Sequence, residues 1–204
     1  DGNDLEGRQI AFTVAVIVLG AKLAKVDGKV TKDEVTAFKK VFSIPANEAA
    51  DAGTLFNEAK QDATGFEPYA QQIANLFAGN RVMLEDLLGA LFHIAKADGV
   101  FHPKEREFLA QVATIFGFDA HEFKRIEDMY IQGKDADDPY EILGTTSDTS
   151  DDEIKKIYRN LVRENHPDKL MAQGLPQEFI DLANDKLATI NAAYDRVCKQ
   201  RGIK

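Results

Sequence analysis

Apolar residues recur along this chain at intervals of three and four, the spacing that lays them on one side of a helix, and no stretch alternates for long with period two. The pattern predicts an all-α protein. Helices are expected over 4–26, 31–42, 46–61, 66–78, 81–97, 103–116 and 119–132, each bounded by short Gly, Pro, Asp or Asn breaks. Start signals support several of them. Thr31, Asp119 and Ser150 each stand three residues before a glutamate (Glu34, Glu122, Glu153), the spacing at which a side-chain oxygen caps the first turn. Pro45, Pro103 and Pro176 suit first-turn positions, where the missing N–H is not needed.

Within the first part a motif occurs twice. Ala24-Lys25-Val26-Asp27-Gly28-Lys29-Val30 followed by Glu34 is echoed 71 residues later by Ala95-Lys96-Ala97-Asp98-Gly99-Val100-Phe101 followed by Glu105. An apolar helix runs into Asp-Gly, turns, and restarts with an early glutamate, as a duplicated helical hairpin should, and the two hairpins are expected to share one core. The polar run 133–137 ends at Asp138-Pro139 and reads as a linker, so residues 1–132 and 138–204 are expected to be separate domains.

Length and charge narrow the function. The chain has 204 residues, enough for two small domains with proper cores, and 34 acidic against 25 basic residues give a formal charge of −9. The imbalance is shared: −6 through residue 136 and −3 beyond it. Nucleic-acid binding, which depends on basic surface to displace counterions, is therefore not expected. The one cysteine, Cys198, forms neither an internal disulfide nor a multi-cysteine metal knot, and near the apolar face of the last helix it reads as a packed thiol. The most apolar run, Ile10 to Ala21, is short of the roughly 20 residues of a membrane span and meets Lys22 and Lys25. His93 and His121 have no acid–base partner in the sequence, and a Gly-x-Ser-x-Gly nucleophile motif is missing, so hydrolase chemistry is not expected.

The segment from Asp138 to Lys169 is the most informative. Asp138-Pro139-Tyr140-Glu141-Ile142-Leu143-Gly144 reads as a short helical turn closed by glycine, and a helix begins after Ser150. Ile154, Ile157 and Leu161 fall within about 60° on a helical wheel, while Lys155, Lys156, Arg159 and Arg163 spread over the other side. Asp151 and Asp152 stand four residues before Lys155 and Lys156, each pair adding roughly 0.3 kcal/mol. Then comes His166-Pro167-Asp168-Lys169, where the proline disfavours helix at His166 and leaves polar side chains at an exposed corner. A loop with Gly174 and Pro176 follows, and a second long helix with Leu187, Ile190, Tyr194 and Val197 on one stripe makes an antiparallel pair.

Those motifs, together with Tyr158-Arg159 and the run Ile190-Asn191-Ala192-Ala193-Tyr194, resemble the J domain of DnaJ-like co-chaperones over about residues 138–200. His102-Pro103-Lys104 lacks the aspartate and the preceding basic helix, and reads as a helix start. The paired Asp-Gly repeats resemble the TerB-like helical domain. That domain order, with the stretch from His166 to Pro176, resembles the bacterial DjlA group. The resemblance implies a stress-related co-chaperone with no cofactor, not itself an enzyme, that binds a DnaK-type chaperone in its ATP state and stimulates its ATP hydrolysis. By residue, it implies docking through Lys155, Tyr158, Arg159, Asn160, Arg163 and Lys169, and activation through His166, Pro167 and Asp168. Residues 1–132 would supply an unfolded or native client, a homodimer contact or localisation. A removed N-terminal anchor would place the chain on the cytoplasmic side of the inner membrane; otherwise it is expected in the cytoplasm. Glu164 and Asn165 depart from the pattern, since many members carry a basic residue and an aromatic there, so the positive face is weaker near the tip.

Two other readings stand beside this one: an ion-responsive TerB-like module, with Asp27, Glu34, Asp98 and Glu105 as candidate metal ligands, and a scaffold whose J domain is secondary. Calcium takes six to eight oxygen ligands and the spacing is not that of an EF-hand, so the simpler role of these residues is turn and cap.

Overall fold

A computed structural model describes residues 2–41, 49–62, 64–132, 138–172 and 177–203. The linker 133–137 and the prolines at 45 and 176 lie outside the described residues. Among those described there are helices and turns and no strand: α1 (Gly2–Lys25), α2 (Lys32–Val41), α3 (Ala49–Ala59), α4 (Glu67–Leu76), α5 (Arg81–Ala95), α6 (Pro103–Ile115), α7 (Ala120–Ile131), α8 (Pro139–Ile142), α9 (Asp151–Glu164), α10 (Pro167–Ala172) and α11 (Gln177–Arg201). None is long and apolar enough to cross a membrane. The chain divides into two compact units, Asp1–Ala120 and His121–Lys204.

In the first unit α5 is the central helix, buried nearly all round from Met83 to Ala95 with His93 excepted; the buried stretch is apolar apart from Glu85 and Asp86. It packs against α1, α2 and α6, and α1 also packs against α6, so the duplicated hairpins share one core. Gly20 lets them close: a Cβ there would stand 3.0 Å from the Phe38 ring and 3.5 Å from Ile94 Cδ1. The Asp-Gly turns repeat in detail. Asp27 Oδ1 accepts the Lys29 N–H and Asp98 Oδ1 the Val100 N–H, both at 2.9 Å, with Gly28 and Gly99 at φ of 92° and 83°. Those dihedrals favour glycine because a Cβ would meet the neighbouring carbonyl.

The second unit is built on Met129, Ile142, Leu143, Ile154, Ile190, Ala193 and Val197, with Tyr130, Tyr140, Tyr158, Leu161 and Tyr194 packed around them. Met129 belongs to α7, so the packing division falls ahead of α7, whereas the sequence pattern puts the break after it. The buried Asp128 on the same helix takes the Lys124 ammonium and a 3.2 Å hydrogen bond from the Gln132 amide. It also faces Glu141 of α8, whose carboxyl is pushed up by burial and by that neighbour.

Candidate functional site

The site begins with how α9 is held. Ser150 Oγ accepts the Glu153 N–H at 3.3 Å, capping the helix, and Asp151, Asp152 and Glu153 complement its N-terminal dipole. Arg201, near the end of α11, fixes the preceding loop with its whole guanidinium fork. It donates to the Tyr140 hydroxyl (2.9 Å), the Thr149 carbonyl (2.7 Å), Asp151 Oδ1 (2.8 Å) and the Ser147 carbonyl, and lies 5.1 Å from the Tyr140 ring centre. The pairings Asp151–Arg201 and Tyr158–Asn191 run in opposite senses along α9 and α11, so the two helices are antiparallel.

Ile154 is fully buried, Ile157 and Leu161 are half-buried, and Lys156, Arg159 and Arg163 are exposed, with Lys155 and Asn160 at the margin. The cations are ordered by light contacts on their own helix. Lys156 pairs with Glu153 at 3.6 Å, Arg159 Nε donates to the Lys155 carbonyl at 3.2 Å, and Arg163 donates to Asn160 Oδ1 at 3.0 Å. Tyr158 reaches across to α11: its ring stacks on Tyr194, centroids 3.8 Å apart and planes 1° from parallel, and its hydroxyl donates to Asn191 Oδ1 at 3.0 Å.

At the end of α9, Asn165 turns inward. It is 2% exposed and its Nδ2 donates to the Leu161 carbonyl at 2.8 Å. His166 stands between helices, and Pro167 opens α10 at the position where a missing N–H costs nothing. The sequence pattern gives no sign of α10, because its six residues are too few for a periodic stripe. The Asp168 N–H donates to His166 Nδ1 at 3.3 Å, and Asp168 Oδ2 stands 3.6 Å from the same nitrogen. The Asp168 side chain is 83% exposed. Lys169 follows, also exposed. All of the residues singled out from the sequence for docking and activation thus lie on α9, the turn after it and the start of α10. Sequence reasoning missed the hydrogen bond from Tyr158 to Asn191, although Asn191 stands in the run that carries the resemblance.

The other His-Pro pair is built differently. His102 is the extended residue before α6, its N–H donates to Glu105 Oε2 at 2.8 Å, and its Nε2 lies 3.7 Å from Asp27 Oδ2. Glu34 plays the same part for Thr31, accepting from its N–H and its hydroxyl at 2.6 and 2.9 Å. Glu34 and Glu105 are 2% and 1% exposed, and Glu105 Oε1 is buried without a donor. Burial first, then the carboxyls of Glu34 and Asp27, pushes Glu105 up to about 7; Glu34 is raised by burial and, less, by Asp27 and Asp98. The four acids therefore come together. No group of three or more His, Cys, Asp or Glu among the described residues has an arrangement suited to a metal ion.

Comparison with known proteins yields two family matches: Tellurite resistance protein TerB over residues 13–128 and DnaJ domain over residues 138–201. Curated relatives include a Co-chaperone protein DjlA from Photobacterium profundum, 30% identical over 98% of this chain and 81% of the relative. Proteins of the same name from Vibrio vulnificus (29%, covering 97% and 80%) and Coxiella burnetii (31%, covering 96% and 79%) are similar in extent. No solved structure matches the chain.

Proposed function

This chain belongs to the DjlA co-chaperone family, a TerB domain ahead of a DnaJ domain, and on that footing we propose that it binds a DnaK-type chaperone in its ATP state and stimulates that partner's ATP hydrolysis. The observation that carries the reading is the exposed Asp168 carboxylate just beyond the basic face of α9. In this proposal Lys155, Arg159, Arg163 and Lys169 steer and orient an acidic patch on the chaperone, with Tyr158 and Asn160 packing between them. Asp168 takes an arginine of the partner in a charge-assisted contact, while Pro167 and His166 hold its backbone. The nucleotide and the reacting groups belong to the partner, so the chain acts as a regulator. Residues 1–132 would bring a client, a second copy or a membrane location to the chaperone.

Titration of the ATP-bound chaperone with the full chain and with a Lys155→Ala/Arg159→Ala variant tests the docking face. Weaker binding by the variant, and a smaller loss of its affinity when salt is raised, is expected, because the removed charges are the screened ones. Equal affinity at both salt concentrations would contradict the assignment.

A further inference from the structure

A partly exposed tyrosine on a helix can still sample more than one rotamer, and a partner that needs one of them must freeze it on binding. Tyr158 is not free in this way. One contact fixes its ring, the parallel stack on Tyr194, and another fixes its hydroxyl, the 3.0 Å bond to Asn191 Oδ1. Both come from α11, a turn apart, and both reach one side chain of α9. Parallel rings at 3.8 Å are closer than the offset or edge-on arrangements aromatic pairs prefer, so helix packing sets the overlap. That packing is anchored beneath the pair by Ile154, Ile190 and Val197.

We propose that Tyr194 and Asn191 are positioning residues for chaperone docking: they hold the Tyr158 ring and hydroxyl, before any partner arrives, in the orientation that α9 presents. The proposal rests on the co-chaperone reading and adds α11 to a docking face that the sequence places on α9 and the turn after it. Asn191 is exposed and Tyr194 half-buried, so the two differ in what they contribute to the fold while sharing Tyr158 as their target.

The test is single-turnover ATP hydrolysis by a DnaK-type chaperone, titrated with the full chain and with its Asn191→Ala, Tyr194→Leu, Tyr194→Phe and Tyr158→Ala forms, and with each of the first two combined with Tyr158→Ala. Circular dichroism and melting temperature accompany each form. Asn191→Ala and Tyr194→Leu are expected to raise the half-saturating concentration about 3- to 10-fold with the maximal stimulation unchanged, the range expected when one side chain must be ordered on binding. Tyr194→Phe, which keeps the stack, should behave as the unaltered chain. In the Tyr158→Ala background neither change should add anything, since the residue they act through is gone. Asn191→Ala keeps the test decisive if Tyr194→Leu folds poorly. Effects that persist undiminished without Tyr158, or a lower maximum at unchanged half-saturation, would overturn the positioning role alone. An unaltered chain that stimulates no hydrolysis would overturn it together with the co-chaperone reading.

Discussion

Glu34 and Glu105 stand 71 residues apart in the chain, yet their carboxyl groups come within hydrogen-bonding reach of each other inside the first unit, one from each half of the duplicated hairpin. Each already accepts the backbone N–H three residues before it, from Thr31 and His102, so what remains between them is acceptor facing acceptor. A proton resolves the clash by turning one carboxyl into a donor.

This arrangement makes the stability of the first unit depend on pH. Both groups hold a proton more readily when folded than at the ordinary glutamate value of 4.5, and Glu105 does so up to about 7. Their contribution is therefore complete below about pH 4.5 and is lost as pH rises toward 7. Thermal melts of the full chain should show the first transition falling across that window. Glu105→Gln, which supplies the donor at every pH, should flatten the dependence and raise the melting temperature at pH 8 by several degrees. The same pH profile in wild type and variant would contradict the assignment.

Gly28 and Gly99 should respond alike to substitution although nothing crowds them. Beyond the adjoining residues no atom lies within 4 Å of a Cβ at either, but both hold φ in the left-handed region. Alanine at each is expected to cost about 1–2 kcal/mol in denaturant unfolding. Gly53, inside α3 and equally uncrowded, has no such dihedral, so Gly53→Ala should stabilise by up to about 1 kcal/mol. A neutral Gly28→Ala or Gly99→Ala would show that the turn is not held as described.

Arg201 ties the end of α11 to four partners in α8, the loop before α9 and the first residue of α9. Its loss leaves two backbone carbonyls and the Tyr140 hydroxyl without that donor. Arg201→Ala should lower the melting temperature of the second unit, and Arg201→Lys should recover little, because an ammonium cannot span the same fork. Faster amide exchange over residues 145–151 is the local readout. Unchanged exchange there would rule out the clamp.

Much of this was legible in one sequence. Periodicity marks the helices to within a few residues, since a stripe of apolar side chains is what makes each pack, and Ser150 and Thr31 cap where their glutamates indicate. The repeat identified Asp27, Glu34, Asp98 and Glu105 as equivalent without showing that two of them meet, because spacing along a helix says nothing about what crosses from another. The same limit hid the Tyr158–Asn191 bond and the Arg201 clamp, which join residues 33 to 61 positions apart. It also hid the packing of Met129 of α7 with the second unit. The short α10 was missed for a different reason: pre-proline sterics correctly break the chain at His166, but a proline that ends one helix can open the next.

Single-turnover ATP hydrolysis by a DnaK-type chaperone, with the unaltered chain and with Asp168→Asn at two salt concentrations, tests the central claim most directly. Asp168 is 83% exposed and its contacts are to His166, so the substitution should leave melting unchanged. Saturable stimulation by the unaltered chain, weaker at high salt and absent with Asp168→Asn, is the predicted result; stimulation that survives the substitution would contradict it.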